Sequence, residues 1–243
     1  SMETFYDYPE PIVIADGDEK VVWYNKSFED HLFSDDRAYG ISLSELVGNN
    51  TAKIFSDTGA TVKILERYYS VMARQSKSFE ASMSVIRFSD ITDHVLLENE
   101  YRASRKTVLI LTVDNYDEVL QNAKESDKAN VQAKLEQILE RFIESTNGVL
   151  HKPSNGRFYA VIEQRHLSKI IERRFDILDE VRSIQVGDRM SVTLSIGVGR
   201  GAKTLAESEL YAKQALDMCL GRGGDQAAVK TESGFEFFGG ISK

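Results

Sequence analysis

The stretch TVLILTVDNYDEV, residues 107–119, begins as an apolar run and ends in a cluster of polar side chains. Its first seven residues are mostly aliphatic or β-branched, which predicts a buried strand that ends at Asp114. After this strand, apolar residues recur at steps of three or four between Asp127 and Thr146, which predicts one buried face of a helix. The pair Asn147-Gly148 then predicts the end of that helix. A buried strand followed by an amphipathic helix indicates an α/β arrangement.

The same alternation continues towards the end of the chain. GVLHKPSNGRFYAVIE (148–163) predicts a hairpin that turns at SNG. Beyond it the pattern predicts a helix over about 167–183, a strand in SVTLSIGVG (191–199), a helix over 206–220 and a short strand AAV (227–229). The order β-αα-β-β-α-β-α-β is typical of an α/β sandwich, in which helices pack on a sheet.

The first half of the chain predicts a separate α+β module. Two apolar runs flank an Asp-Gly-Asp turn and predict a hairpin, Ile12–Ala15 with Val21–Tyr24. Asn25 is a suitable N-cap for a helix that begins near Lys26. This helix is expected to turn three apolar side chains inward: Phe28, Leu32 and Phe33. Further strands are predicted in TVKILERYYSVMARQ (61–75), SFEASMSV (78–85) and IRF (86–88), followed by a helix from near Thr92 to Lys106.

Composition and charge narrow the classes of function. The 243 residues carry a net charge of −8, with 11 basic and 18 acidic residues over 1–105 and 19 basic and 20 acidic residues over 106–243. General nucleic-acid binding is not expected, because it needs a basic face. The single cysteine, Cys219, excludes an internal disulfide, and the apolar runs are far shorter than the roughly 20 residues that span a bilayer. Ser1-Met2 is typical of a cleaved tag, so we expect a fragment of a longer protein.

The two halves resemble two known kinds of domain. TVDNYDEV (112–119), HKPSNGRFYAVIE (151–163) and SIGVG (195–199) resemble a GGDEF domain, the nucleotidyl-cyclase-like fold of diguanylate cyclases, over residues 107–231. IVIADGDEKVVWYN (12–25) and FSDITDHVLLENEY (88–101) resemble the beginning and end of a PAS sensor domain over residues 9–91. The resemblance implies an α+β chain in which a PAS domain is joined to a degenerate GGDEF α/β sandwich by a linker helix, residues 92–106.

This combination, together with ALDMCLGRGGDQAAVK (215–230), resembles the GdpP-type family of membrane-anchored cyclic-di-AMP phosphodiesterases. The resemblance implies transmembrane helices before the PAS domain and a DHH phosphodiesterase domain after residues 232–243, which would form a connecting tail. We therefore expect the sensory and regulatory, cytoplasmic portion of a bacterial cell-membrane enzyme. We expect it to be homodimeric, with no catalytic residues and no direct membrane contact of its own.

Several residues depart from what an active cyclase requires. Cyclase chemistry needs carboxylates that hold two Mg²⁺ ions. By the resemblance, Thr112 stands at one metal-ligand position, and Gly156 and Arg157 stand at the two acidic positions of the signature loop. The positions that read guanine fall on Leu120 and Ala129. The resemblance therefore implies that cyclase activity is lost.

Four residues remain candidates for weak binding of a purine nucleotide, ATP at least as well as GTP: Asp114, Asn115, Tyr116 and Arg222. Asp114 is also the candidate ligand for a Mg²⁺ ion that would accompany ATP, with Asp117 and Glu118 nearby. The lysine with which the family contacts phosphate is absent. Two interpretations of LGRGGD (220–225) stay open, a helix end with a turn and an anion site formed by Arg222 with the glycine amides.

The resemblance also leaves other functions open. Heme can occur in PAS domains, and His31 and His94 are the candidate axial ligands. The second half is alternatively a weak ATP-hydrolysing module. A third alternative is a dimerisation scaffold that transmits a signal through the linker helix.

Overall fold

The structure, a computed structural model, describes residues 2–33, 38–76 and 82–240. The chain divides into two compact units, Ser1–Asn99 and Glu100–Lys243. The boundary falls inside the segment that was expected to link the two domains. In the described part of the chain, no helix combines the length and the apolar character that crossing a membrane requires.

The first unit contains a five-stranded antiparallel sheet in the order β2-β1-β5-β4-β3. Its elements, in chain order, are α1 (Met2–Tyr6), β1 (Ile12–Ala15), β2 (Val21–Tyr24), α2 (Lys26–His31), α3 (Leu43–Val47), β3 (Ala60–Ile64), β4 (Arg67–Ser76), β5 (Met83–Asp90) and α4 (Thr92–Ser104), which continues into the second unit. Two 3-10 turns, Gly48–Asn50 and Lys53–Phe55, lie between α3 and β3.

Asn25 connects the first hairpin to α2. Its side-chain oxygen accepts from the backbone N–H groups of Phe28 at 3.1 Å and Ile12 at 2.9 Å, so the predicted N-cap is confirmed. Its amide nitrogen donates to three backbone carbonyls of the N-terminal segment, those of Phe5, Tyr8 and Glu10. All polar atoms of this fully buried side chain are therefore paired, as burial requires.

The predicted hairpin and the inward face of α2 are confirmed: Phe28 and Leu32 are buried, and Phe33 packs against the same core. The prediction of separate strands in SFEASMSV and IRF is wrong, because Met83–Asp90 forms one strand that pairs with Tyr69–Ser76 of β4. Residues 78–81 of that prediction lie outside the described residues.

The second unit contains a six-stranded mixed sheet in the order β13-β12-β11-β6-β8-β7, in which only β11 and β12 run parallel among the described strands. Its elements are β6 (Lys106–Val113), α5 (Tyr116–Asn122), α6 (Glu125–Glu144), β7 (Val149–Ser154), β8 (Arg157–Glu163), α7 (Gln164–Glu172), α8 (Ile177–Arg182), β9 (Gln185–Val186), β10 (Met190–Ser191), β11 (Leu194–Gly199), α9 (Leu205–Gly221), β12 (Gln226–Thr231) and β13 (Gly234–Gly239).

Helices cover both faces of this sheet. Alternate residues of β6, among them Leu109 and Leu111, join the large core formed with α5, α6, α7 and α8. The intervening residues Val108 and Ile110 face α9, where they pack against Ala212 and Leu216. The two faces of β6 are thus both buried, which explains its continuous apolar run. The predicted α/β sandwich is confirmed for this unit.

Two predictions about this unit are wrong. The single helix expected over 167–183 is two helices, because Arg174 and Phe175 adopt φ angles of 52° and 53° that end α7 and bring Phe175 into the core. Residues 232–243 are not simply a tail, because Gly234–Gly239 pairs with β12 along its length and buries Phe238. The sheet therefore extends to residue 239.

Candidate functional site

Asp114 lies directly after β6, and three hydrogen bonds hold its carboxylate. Its Oδ1 accepts from the Ser195 hydroxyl at 2.5 Å. Its Oδ2 accepts from the Thr193 hydroxyl at 2.8 Å and from the backbone N–H of Asp225 at 2.9 Å. The side chain thereby joins the end of β6, the start of β11 and the turn after α9.

The turn LGRGGD (220–225) packs on this carboxylate. A Cβ added to Gly224 would lie 2.8 Å from Cγ of Asp114, so only glycine allows this approach. The N–H of Gly223 donates to the carbonyl of Leu220 at 3.1 Å, and that of Gly224 donates to the carbonyl of Cys219 at 2.9 Å. The geometry is that of a helix end with a turn, since the glycine amides are occupied by carbonyls of α9.

Arg222 points towards the edge strand of the sheet. Its Nε donates to Oε1 of Gln226 at 2.9 Å, and its guanidinium lies 3.9 Å from the centre of the Phe237 ring. Phe237 belongs to β13, which lies within residues 232–243, the segment predicted from the sequence to be a connecting tail. A cation stacked on an aromatic face at this distance is stabilised without an anion.

Asn115 and Tyr116 follow Asp114 but have different surroundings. The Tyr116 ring packs on the turn between β7 and β8, where a Cβ on Gly156 would lie 2.7 Å from Cδ2. Its hydroxyl accepts from the side chain of Gln132 at 2.6 Å. Oδ1 of Asn115 is buried and has no hydrogen-bond partner. Of the four predicted nucleotide-binding residues, Tyr116 and Arg222 are therefore engaged in packing around the site. Asp114 connects three segments of the chain, and Asn115 keeps a buried oxygen without a partner.

Residues 111–237 match the family described as "Cyclic-di-AMP phosphodiesterase GdpP-like, GGDEF domain". This match covers more than half of the chain. The chain belongs to this GdpP-like family. The fold described above, with its α/β sandwich over the matched residues, is consistent with that assignment.

Curated relatives extend the likeness to the first unit. The chain is 32% identical over 242 residues to cyclic-di-AMP phosphodiesterase GdpP of Geobacillus thermodenitrificans (strain NG80-2), a match that covers 99% of this chain and 36% of the relative. It is 28% identical to the protein of the same name from Bacillus subtilis (strain 168), over 98% of this chain and 35% of the relative. The chain thus spans about a third of the length of these relatives.

This chain is similar to a solved structure of the active GGEEF domain of a diguanylate cyclase from Vibrio cholerae. The match covers 57% of this chain and 91% of the chain in that structure. The TM-score is 0.47 and the identity 14%. The assignment to the GdpP-like family does not depend on this likeness.

Thr112 and Arg157, two positions at which the resemblance implies a departure from active cyclases, lie side by side in the sheet. Thr112 of β6 pairs with Arg157 of β8 on one side and with Ser195 of β11 on the other. Oγ1 of Thr112 and Nε of Arg157 are buried and have no hydrogen-bond partner. The Arg157 guanidinium lies 5.7 Å from the centre of the Tyr159 ring, and its Nη2 is 3.4 Å from the Tyr159 hydroxyl.

Metal-binding groups are sparse around these residues. Among the residues that the structure describes, no three His, Cys, Asp or Glu side chains come together in a way that suits a metal ion. Asp117 and Glu118 are exposed in the first turn of α5. Burial, with the nearby Asp114 carboxylate, raises the pKa of the Cys219 thiol to about 12, so this buried side chain stays neutral and is a poor metal ligand.

The two histidines of the heme prediction both lie at the surface. His31 is exposed at the end of α2, with Nδ1 2.9 Å from the carbonyl of Ser27, and His94 is exposed on α4. Heme binding therefore stays a prediction that rests on the resemblance alone.

Sequence reasoning missed the partners of Asp114. Thr193, Ser195 and Asp225 lie 79, 81 and 111 positions away along the chain. The signal that could have found two of them is the hydroxyl pair of SVTLSIGVG, polar side chains next to a strand that is otherwise buried.

Proposed function

We propose that this chain is the sensory and regulatory portion of a cyclic-di-AMP phosphodiesterase. In this proposal the first unit is a PAS-type sensor, and the second unit is a degenerate GGDEF domain that makes no cyclic dinucleotide and binds a purine nucleotide weakly. The observation that carries the proposal is the pairing of Thr112 with Arg157, at two positions where the resemblance implies metal-binding carboxylates.

The charges of the residues at these positions disfavour the binding of the two Mg²⁺ ions that a cyclase needs. Two Mg²⁺ ions need several carboxylate oxygens, whereas Arg157 brings a positive charge and Thr112 a neutral hydroxyl. The nearest retained carboxylate, Asp114, already accepts three hydrogen bonds. A metal ion would share the Asp114 carboxylate with these donors, and neither Thr112 nor Arg157 would supply a further carboxylate ligand.

The sensor role of the first unit is supported by the family and by the shape of the unit. Relatives called cyclic-di-AMP phosphodiesterases match the chain over nearly its whole length. The antiparallel sheet, with its short helices inserted between β2 and β3, is the α+β arrangement expected of a PAS domain.

Three measurements test the proposal. Incubation of the purified chain with GTP and Mg²⁺ or Mn²⁺ is expected to yield no cyclic-di-GMP, and incubation with cyclic-di-AMP is expected to yield no linear pApA. Titration calorimetry with ATP and GTP is expected to give weak binding of both, because Leu120 and Ala129 offer no side-chain hydrogen bond to guanine. Product formation above a no-protein control would refute the proposed loss of catalysis, and the absence of binding would refute the nucleotide role.

Measuring the release of phosphate from ATP distinguishes the ATP-hydrolysing alternative from nucleotide binding alone. Steady release of phosphate from ATP, which stops when the protein is heat-denatured, would favour it. Slow or absent release with measurable binding would favour a regulatory ligand.

One observation also favours the dimerisation scaffold. Three large apolar side chains of α4 are exposed: Leu96, Leu97 and Tyr101, with exposed fractions of 53%, 70% and 69%. Leu97 and Tyr101 are four positions apart and share one face of the helix. If α4 pairs with a second copy, Leu97→Glu is expected to shift the mass measured by light scattering from dimer to monomer, whereas Leu65→Glu, at an exposed turn of the first unit, is not.

A further inference from the structure

A polar row crosses the sheet on the face that carries α9. Arg157, Thr112 and Ser195 stand in register on three adjacent strands, and Val108 and Ile110 place this face of β6 towards α9. The hydroxyl of Ser195 is used by Asp114. Thr112 and Arg157 each keep a buried polar atom without a partner.

The unpaired state of Arg157 is unusual for a guanidinium. Within residues 2–33, 38–76 and 82–240, no carboxylate lies within ion-pair distance of it, and its polar contact is the long one to the Tyr159 hydroxyl. A buried N–H without an acceptor is unfavourable, and more so on a charged group. An anion that accepts from Nε would remove this penalty, and the hydroxyl of Thr112 on the neighbouring strand would donate to the same anion.

Nε of Arg157 and Oγ1 of Thr112 are themselves buried, but the residues that carry them are partly exposed to solvent. Arg157 and Thr112 are both only half-buried, and the turn Ser154-Asn155 beside Arg157 is exposed. The other candidate cation, Arg222, already stacks on Phe237 and donates to Gln226. Arg157 is therefore the better placed of the two to receive an anion.

We propose that Arg157 and Thr112 bind a phosphate group of the purine nucleotide directly and without a metal ion. This inference rests on the proposed function of the second unit. The guanidinium supplies the positive charge that Mg²⁺ would otherwise supply, and the same charge disfavours a divalent cation beside it. Asp114 does not form a metal site with its neighbours, because its carboxylate already accepts from Thr193, Ser195 and Asp225, and among the described residues no cluster of three His, Cys, Asp or Glu side chains includes it.

The test is titration calorimetry of the complete chain with ATP and with tripolyphosphate, each in excess EDTA and in Mg²⁺. Binding of both probes is expected to persist in EDTA. Arg157→Gln is expected to weaken binding at least tenfold, the loss of a charge-assisted hydrogen bond, and Thr112→Val about threefold to tenfold. Arg157→Lys is expected to retain part of the affinity. Arg173→Gln, the same change at an exposed position at the end of α7, is the matched control and is expected to leave binding unchanged.

The outcomes separate this inference from the proposed function. If ATP binds the wild type but Arg157→Gln binds equally well, or if Arg222→Gln alone loses binding, the Arg157 site is wrong and the nucleotide role stands. Loss of wild-type binding in EDTA overturns the metal-free mode. If neither probe binds in any condition, the proposed nucleotide role fails. Thermal unfolding of each variant checks folding, and Arg157→Gln is expected to keep a Tm close to that of the wild type, because the contacts that it loses, with the ring and hydroxyl of Tyr159, are long.

Discussion

Asp114 is a candidate metal ligand in the sequence, and in the structure its carboxylate accepts hydrogen bonds from three other residues. At the end of a strand, followed by Asn-Tyr-Asp-Glu, it is a natural candidate for a metal ligand. In the structure, both of its oxygens are occupied by donors from distant segments. Its charge is therefore used to fix the turn after α9 against the sheet.

Replacing this carboxylate should destabilise the second unit. In Asp114→Asn, the negative charge that strengthens all three hydrogen bonds is lost, and one of the two accepting oxygens becomes an NH₂ group, from which the Ser195 hydroxyl can turn to accept. We expect the free energy of unfolding to fall by about 2–3 kcal/mol, in urea titrations followed by circular dichroism. Asp217→Asn, at an exposed position of α9, is the control and should change it by less than about 0.5 kcal/mol. An unchanged stability together with a lost affinity for Mg²⁺ would restore the metal-ligand interpretation.

Asp90 gives a pH-dependent contribution to the first unit. Burial raises the pKa of Asp90, but hydrogen bonds from Arg67 and Thr92 outweigh it and bring the pKa to about 2. Because the folded pKa lies below the ordinary value of 3.8, the stabilisation is present above about pH 4 and is lost as the pH falls towards 2.

The matching experiment follows the fluorescence of Trp23, the single tryptophan of the chain, which lies in β2. Asp90→Asn should lower the stability of the first unit by roughly 1 kcal/mol at neutral pH, a modest value because the side chain is 38% exposed and screened by water. The difference from wild type should vanish near pH 2. Asp57→Asn, at an exposed position, serves as the control, and an equal loss at all pH values would contradict the assignment.

The elements β11 and α9 pack closely against each other. A Cβ on Gly197 would lie 2.1 Å from the carbonyl oxygen of Ala212, and one on Gly199 would lie 2.0 Å from that of Ser208. Both obstacles are helix backbone, which cannot move aside as a flexible side chain can. The glycines of SIGVG therefore serve the packing of α9 on the sheet.

The variant Gly197→Ala tests whether this glycine is needed for the close packing of α9 on β11. We expect it to reduce the free energy of unfolding of the second unit by about 3 kcal/mol or more, since α9 must shift to admit the methyl group. Gly221→Ala, at the end of α9, meets no atom within 4 Å and should be neutral or stabilising by up to about 1 kcal/mol. Denaturant titration of both variants by circular dichroism measures the contrast, and similar stabilities would refute the packing argument.

In the described part of the molecule, each of the two units has a large hydrophobic core of its own. The core of the first unit is built from residues 13–88, and the large core of the second from residues 109–238. The second core includes Phe238 of β13, so the second unit depends on residues beyond Thr231.

A chain that ends at Thr231 tests this dependence. It lacks β13 and the buried Phe238, and we expect the second unit to lose at least about 3 kcal/mol of stability or to fail to fold. The transition reported by Trp23 should be unchanged, because that residue lies in the other unit. A second unit as stable as in the complete chain would show that residues 232–243 are a tail after all.

The features that depend on near neighbours along the chain could be predicted from the sequence. Patterns within a few residues predict five of these features: the hairpin around Asp16, the cap at Asn25, the strand before Asp114, the long amphipathic helix and α9. Turn chemistry, capping and periodicity are local, so one segment carries all the information that they need.

The contacts of the candidate site residues depend on how distant segments of the chain pack together. The tertiary structure brought Thr193, Ser195 and Asp225 onto Asp114, placed Phe237 under Arg222, and left Arg157 beside Thr112 without a carboxylate. These arrangements depend on which strands pair and in what register, and a shift by one residue would turn every side chain to the opposite face. Since the partners lie up to 111 positions apart, no local pattern could specify them.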